Sequence, residues 1–247
     1  MHTMQAHYDP LLVALSYAVS VFGAFTSLRL ALRLPAAKGG AFFGWLAAAA
    51  FAMGGGAIWT MHFVGMIAYR TDMPMQYDTL ITAASMILAV VVTGVGLWIA
   101  GSGAAKPARL LAAGTFTGLG VAGMHYLGMA AMRMAADLVY DETLVAISVG
   151  IAVVAATAAF WIAFNMTGRW QQVGSAFVMG AAVCGMHYTG MAAATMVPNG
   201  KPVVADLGVL SGEDLAFFVT MAAILMLAIL LFISMRKHLD EQPLFQS

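Results

Sequence analysis

Apolar residues fall into seven long runs separated by short polar segments. The runs cover about residues 11–32, 42–67, 79–100, 110–132, 143–164, 173–196 and 214–235. Each run can cross the hydrocarbon core of a bilayer as a helix, which takes about 20 residues. The pattern therefore predicts an all-α protein, a bundle of seven transmembrane helices. We expect residues 1–247 to form a single integral membrane domain, and a composition that is 62% hydrophobic and 9% charged agrees.

Several protein classes are excluded by simple counts. The first run has no basic segment before it and is followed by Arg29 and Arg33, so a cleavable signal peptide is not predicted. The single cysteine, Cys184, excludes an intramolecular disulfide and any cysteine-based zinc or iron–sulfur cage. A net charge of zero gives no case for nucleic acid as a partner. The remaining partner that the composition predicts is membrane lipid.

The basic residues are distributed unequally between the two sides of the predicted bundle. The segments after runs one, three, five and seven carry Arg29, Arg33, Lys38, Lys106, Arg109, Arg169, Arg236 and Lys237. The other side holds Arg70, Arg133 and Lys201. Because basic residues favour the cytoplasmic side, we expect the N-terminus outside and the C-terminus in the cytoplasm.

One motif, Met-His-x-x-Gly-Met, occurs three times, at residues 61–66, 124–129 and 186–191. The copies lie near the ends of runs two, four and six, which all point outward in this topology. The repeating unit is therefore a two-helix hairpin of about 62 residues, and the three units are parallel. Parallel repeats are commonly related by an axis along the membrane normal. We expect pseudo-threefold symmetry, with a seventh helix left over and the three motif histidines near one axis.

The motif combines two kinds of metal ligand with a small residue. Residues four apart share a helix face, which pairs each histidine with the second methionine of its motif. These pairs are His62 with Met66, His125 with Met129, and His187 with Met191. The first methionines, Met61, Met124 and Met186, point about 100° away, and we expect them to pack. Gly65, Gly128 and Gly190 lie on the histidine face, where small residues let transmembrane helices approach closely.

Several interpretations of this site remain open from the residues alone. Thioether and imidazole together favour copper, since Cu(I) prefers soft ligands. Three imidazoles alone would equally suit zinc with one open position, and two histidines can be axial ligands of haem. A fourth interpretation is a purely structural network of hydrogen bonds, made by the three motif histidines, that holds the bundle together. Tyr126 and Tyr188 can orient a histidine or a bound water in two copies, whereas the first copy has Phe63. Cys184 is a further candidate near the ligands, although a small buried residue is the more common role.

These residues make the chain similar to the MHYT domain family, whose name the third copy spells as Met186-His187-Tyr188-Thr189. The resemblance covers about residues 8–235. It implies a sensory domain of the bacterial inner membrane, with copper held near the periplasmic face by the motif methionines and histidines. The implied signal is a diatomic gas such as oxygen, carbon monoxide or nitric oxide. Many members continue into enzymes that make or degrade cyclic di-GMP, so a separate cytoplasmic signalling partner is also implied.

Two further expectations concern activity. The chain shows no nucleophile paired with a base and no carboxylate within a span, so we expect no enzyme. Transport or storage of the metal is the main rival function. A transporter needs ligands along a path through the bilayer, and here the motif ligands all lie in one half.

Overall fold

The computed structural model describes residues 7–101, 106–165, 168–201 and 208–240, so both ends of the predicted domain lie outside the described residues. It contains seven long helices, and the predicted all-α bundle is confirmed. They are α1 (Pro10–Ala31), α2 (Gly40–Ala68), α3 (Thr79–Gly101), α4 (Pro107–Ala130), α5 (Glu142–Asn165), α6 (Arg169–Ala192) and α7 (Gly212–Asp240). Six of these described helices, all but α6, are individually long and apolar enough to cross a membrane. Helix α6 is more polar because it holds Gln171 and Gln172 in its first turn and His187, Tyr188 and Thr189 near its end.

The first six helices form a closed ring in chain order. Each helix packs against the next along the chain, and α6 returns to pack against α1. The ends of α2, α4 and α6 that carry the motifs also contact one another inside this ring. Helix α7 lies outside the ring, mainly against α2. The even helices therefore meet at the centre, as the threefold repeat predicts.

Helix α2 is continuous but contains a π-helical segment, Phe51–Trp59. This segment includes Gly54-Gly55-Gly56, and the carbonyl of Gly55 accepts a hydrogen bond of 2.8 Å from Oγ1 of Thr60. A Cβ added at position 56 would overlap the sulfur of Met226 on α7, so the glycine there leaves room for this side chain. The π segment is thus one of the two parts of α2 against which α7 packs, the other being the motif-bearing end, Thr60–Ala68.

Short strands at the motif-bearing end of the bundle are a feature that the apolar pattern did not predict. The strands are β1 (His7–Tyr8), β2 (Tyr69–Arg70), β3 (Gln76–Asp78), β4 (Met132–Arg133), β5 (Ala136–Tyr140), β6 (Ala194–Pro198) and β7 (Val209–Ser211). Strand β1 pairs with β2, β3 with β4, and β5 with β6, all antiparallel. Each pair joins the start of one two-helix repeat to its end. Strand β7, which precedes α7, pairs with β3.

The strands correct two predicted helix ends. The runs 110–132 and 173–196 were expected to be helical throughout, but α4 ends at Ala130 and α6 at Ala192. Residues beyond these points in the two runs are mostly apolar, yet their backbone groups bond to a neighbouring strand instead of continuing the helix. Hydropathy does not distinguish these two ways of satisfying backbone groups.

An aspartate stands at the junction between strand and helix in every repeat. The backbone N–H groups of Asp9, Asp78 and Asp141 donate to carbonyls at the ends of α2, α4 and α6, the even helices of their own repeats, at 2.8–2.9 Å. Their carboxylates accept hydrogen bonds from the first turns of α1, α3 and α5. Asp78 also accepts a 2.7 Å ion-pair bond from Arg133, and this bond holds the pKa of Asp78 below its usual range. These caps fix where α1, α3 and α5 begin.

Candidate metal centre

The three motif histidines meet at the centre of the ring. The Nδ1 atoms of His62 and His187 are 3.0 Å apart, those of His62 and His125 are 3.1 Å apart, and those of His125 and His187 are 3.4 Å apart. All three side chains are buried, with at most 1% of their surface exposed. The imidazole rings cross nearly at right angles, at 79° to 87°. Three equivalent nitrogens from three helices therefore point at one position.

Hydrogen bonds between the rings cannot satisfy this arrangement. A neutral imidazole carries one proton, on either Nδ1 or Nε2. Each of the three Nδ1 atoms is either a donor or an acceptor, so at least two of the same kind face each other at close range. With all three Nδ1 atoms deprotonated, three lone pairs converge, and a cation at the centre would relieve the repulsion.

The spacing suits a metal ion. Zinc-to-histidine bonds are about 2.0–2.1 Å, and a tetrahedral centre with such bonds places its donor atoms about 3.3 Å apart. The observed separations of 3.0–3.4 Å agree with this value within a few tenths of an ångström. Among the described residues, these histidines form the one group of three or more possible His, Cys, Asp or Glu ligands close enough to share an ion. The donor set would leave a fourth position open.

The motif glycines hold the far edges of the rings in a cyclic order. An added Cβ at Gly128 would overlap Nε2 of His62, one at Gly190 would overlap Nε2 of His125, and one at Gly65 would overlap Nε2 of His187. Each histidine thus packs against the glycine of the next motif helix. The three Nε2 atoms are buried and have no hydrogen-bond partner among the described residues. The glycines therefore turn the rings so that Nδ1 faces the axis.

The six motif methionines are all buried. Their exposed fractions lie between 0% and 5% for Met61, Met66, Met124, Met129, Met186 and Met191. All except Met61 belong to one apolar cluster that surrounds the histidines. Met186, a first methionine, lines a cavity beside the site. Ligation by the second methionines stays a prediction.

The motif tyrosines bond to serines on the neighbouring odd helices, a feature that our sequence reasoning missed. Ser148 donates its one hydrogen to the carbonyl of Val145, so Tyr126 donates to Ser148 at 2.7 Å. By the same logic, Tyr188 donates to Ser16 at 2.9 Å. Each tyrosine ring also packs edge-on against the histidine before it, with centroids 4.8 Å apart. The tyrosines therefore anchor the motif helices to the outer part of the ring.

The first copy replaces this anchor with a different donor. Phe63 has no hydroxyl, but Trp59, four residues earlier, donates its indole N–H to Ser85 at 3.1 Å. Ser85 in turn donates to the carbonyl of Thr82, as its counterparts do in α1 and α5. One donor–serine bond is thus present in each repeat, and Trp59 supplies the hydrogen bond that Phe63 cannot make.

A second repeated sequence could have revealed these serines. The pattern Tyr-Asp-x6-Ser occurs at residues 8–16, 77–85 and 140–148. The ring of Tyr8 packs on Tyr188, that of Tyr77 on Phe63, and that of Tyr140 on Tyr126. Each odd-numbered helix of the ring, together with the strand before it, therefore contributes a tyrosine, a capping aspartate and a serine around the motifs.

Cys184 lies away from the histidine nitrogens. It occupies the position equivalent to Trp59 and is half-buried beside Ser16 and Tyr188. It is not among the possible ligand group. The structure thus places Cys184 with the anchor of the third repeat.

Taken together, the fold and the site define a membrane-embedded helical domain built around a buried histidine triad on a threefold repeat. The model of the MHYT family, described as a bacterial signalling protein N-terminal repeat, matches residues 55–113 and 118–176. The chain belongs to the MHYT family, as the sequence resemblance predicted. The matched segments begin 63 residues apart, which equals the spacing of His62 and His125.

Curated relatives are signalling proteins. The chain is 40% identical over 232 residues to the bifunctional diguanylate cyclase/cyclic di-GMP phosphodiesterase MucR of Pseudomonas aeruginosa, covering 92% of this chain and 34% of that protein. It is 31% identical to the signaling protein YkoW of Bacillus subtilis, covering 99% of this chain and 31% of that protein. The chain thus spans about a third of their length, and no enzyme domain is evident in it. No solved structure matches the chain.

Proposed function

We propose that this chain is a membrane sensor domain that holds one copper ion between the Nδ1 atoms of His62, His125 and His187. The observation that carries the proposal is the convergence of three buried Nδ1 atoms at 3.0–3.4 Å, an arrangement in which hydrogen bonds between the rings leave at least two like groups facing each other. A bound ion would supply a Lewis-acidic, redox-capable centre with one open position. A diatomic gas such as oxygen, carbon monoxide or nitric oxide is the proposed signal.

The surroundings favour Cu(I) over Zn(II). The buried polar side chains of the described residues include no carboxylate that could balance charge. The cost of burying an ion rises with the square of its charge, so a divalent ion costs about four times as much as a monovalent one. The methionines around the triad add soft sulfur, which Cu(I) prefers. Haem is a poorer occupant, because nitrogens this close leave no slot for a porphyrin between two rings.

Signal transfer in this proposal runs through α7. This helix contacts α2, which carries His62, and Met226 lies against Gly56 in the π segment of α2. π segments are frequent at functional sites. With the basic residues in the cytoplasm, α7 would leave the inner face of a bacterial inner membrane and reach a cytoplasmic signalling partner. Transport or storage of the metal is less favoured, because the triad is a single centre.

Metal analysis of single variants tests the proposal. His62→Ala, His125→Ala and His187→Ala should each lose most of the bound ion, because a three-ligand centre has no ligand to spare. The protein should be purified without a histidine tag or chelator, and its copper and zinc measured by elemental analysis. Thr189→Ala, on the same turn of α6 as His187, serves as a folding-matched control. Full metal content in all three histidine variants would refute the site.

A further inference from the structure

An apolar cavity lies directly beside the histidine triad, on the side away from the strands. Its volume is about 70 Å³, and α1 to α6 all contribute to its wall. Ile58, Val121 and Val183 line it, and each stands four residues before a motif histidine. Four residues are about one helical turn. This end of the cavity therefore lies about one helical turn from the imidazoles.

The cavity offers little to water. Three hydroxyls line it, and each already donates its hydrogen to a backbone carbonyl: Ser27 at 2.9 Å, Thr93 at 2.7 Å and Thr117 at 3.3 Å. A buried water typically needs two to four polar partners, and apolar cavities stay dry. An occupant without polar groups is thus favoured over water.

We propose that this cavity is a binding site for a small apolar molecule of two or three heavy atoms, held next to the metal centre. An engineered apolar cavity of about 150 Å³ binds benzene or xenon, and this cavity is about half that size. The inference rests on the proposed function for its sensory role, because the cavity would keep the apolar signal within one helical turn of the metal. Its occupancy can be measured with or without metal.

The walls of the cavity differ in a way that indicates the route of access. On α2 and α4, the lining residues Ile58 and Val121 are buried. On α5, the lining residues Ala155, Ala159 and Ala163 are half-buried and follow one another at four-residue intervals. Ala152 and Phe160 of α5 also line the cavity and are buried, so the three half-buried alanines are the part of this wall nearest the surface. An apolar molecule concentrates in hydrocarbon over water, so we place access from the lipid between α5 and α6.

Xenon is the probe that tests occupancy. The protein, in lipid nanodiscs, is labelled with ¹³C at the methionine methyl groups, and the spectra are followed as xenon pressure rises. Met53, Met179 and Met186 line the cavity, so their methyl signals should shift and saturate. Met221, which is exposed on α7, should change only linearly as xenon dissolves in lipid. Helium at the same pressures controls for compression.

A pair of adjacent alanines supplies matched variants. Ala159→Leu puts three carbons into the cavity wall and should abolish the saturable shift, whereas Ala158→Leu, on the exposed side of the same helix, should leave it unchanged. Saturation that persists in Ala159→Leu, or is absent in the parent, would overturn the inference. Metal content measured on the same samples separates the two claims. If the protein holds metal but does not bind xenon, only the proposed cavity site is refuted. If it binds xenon but holds no metal, only the proposed metal centre is refuted.

Discussion

Replacing Gly128 by alanine should disable the metal centre while leaving the bundle folded. The added Cβ would overlap Nε2 of His62 and lie 2.9 Å from its Cδ2, whereas ordinary contacts begin at 3.4 Å. The ring is surrounded by buried residues and cannot swing into free space. It must therefore shift along the direction that carries Nδ1 off the axis.

The size of the effect follows from how small a displacement of its ligand atoms a metal site tolerates. The ring must move by on the order of 1 Å, whereas ligand distances in working sites stay within about 0.2 Å of their ideal values. Disturbing the groups that orient a ligand typically weakens metal affinity by about 10- to 100-fold. Overpacking a well-packed core costs about 1–3 kcal/mol. We therefore expect the metal affinity of Gly128→Ala to fall by about 10- to 100-fold and the protein to remain folded.

The assay compares Gly128→Ala with Gly123→Ala on the same helix. A Cβ at Gly123 meets only Leu88, at 3.9 Å, so this variant has room. Alanine is preferred to glycine inside a helix by about 1 kcal/mol, and Gly123→Ala should be as stable as the parent or slightly more so. Affinity is measured by competition with a calibrated Cu(I) chelator, and folding by thermal melting. Parent-like affinity in Gly128→Ala would refute the claim that this glycine sets the ring position.

Three further predictions concern the ligands, the anchors and the orientation. Replacing Met66, Met129 and Met191 together by leucine should weaken Cu(I) binding and leave Zn(II) binding nearly intact, because zinc has little use for thioether; equal Cu(I) affinity would mean that these methionines only pack. Ser148→Ala should lower the thermal stability more than Tyr126→Phe. The first change leaves the Tyr126 hydroxyl without an acceptor, which costs about 1–3 kcal/mol, whereas the second loses one hydrogen bond worth about 1 kcal/mol. The reverse order in thermal melts would contradict the assigned donor. A reporter fused after α7 should behave as cytoplasmic and one between β2 and β3 as periplasmic, and reversed signals would move the metal centre to the other leaflet.

Much of the architecture was predictable because a bilayer restricts backbone conformation. A segment in hydrocarbon must satisfy its own hydrogen bonds, so long apolar runs had to become helices. The repeat of the motif at intervals of 63 and 62 residues then predicted three equivalent hairpins. The strands at the motif-bearing end escaped prediction because they are two to five residues long and bond to distant partners. No local pattern encodes which short segments pair.

The candidate site divides in the same way. The sequence alone determined that three histidines lie at one depth, each with a glycine three residues later on the same face. Only the tertiary structure decided that each imidazole packs on the glycine of the next helix, so that Nδ1 faces the axis and Nε2 faces the neighbouring backbone. It also decided that Trp59 replaces a tyrosine hydroxyl for Ser85. Such choices depend on how closely helices distant in sequence approach, which is set by the packing of the whole ring and not by any single segment.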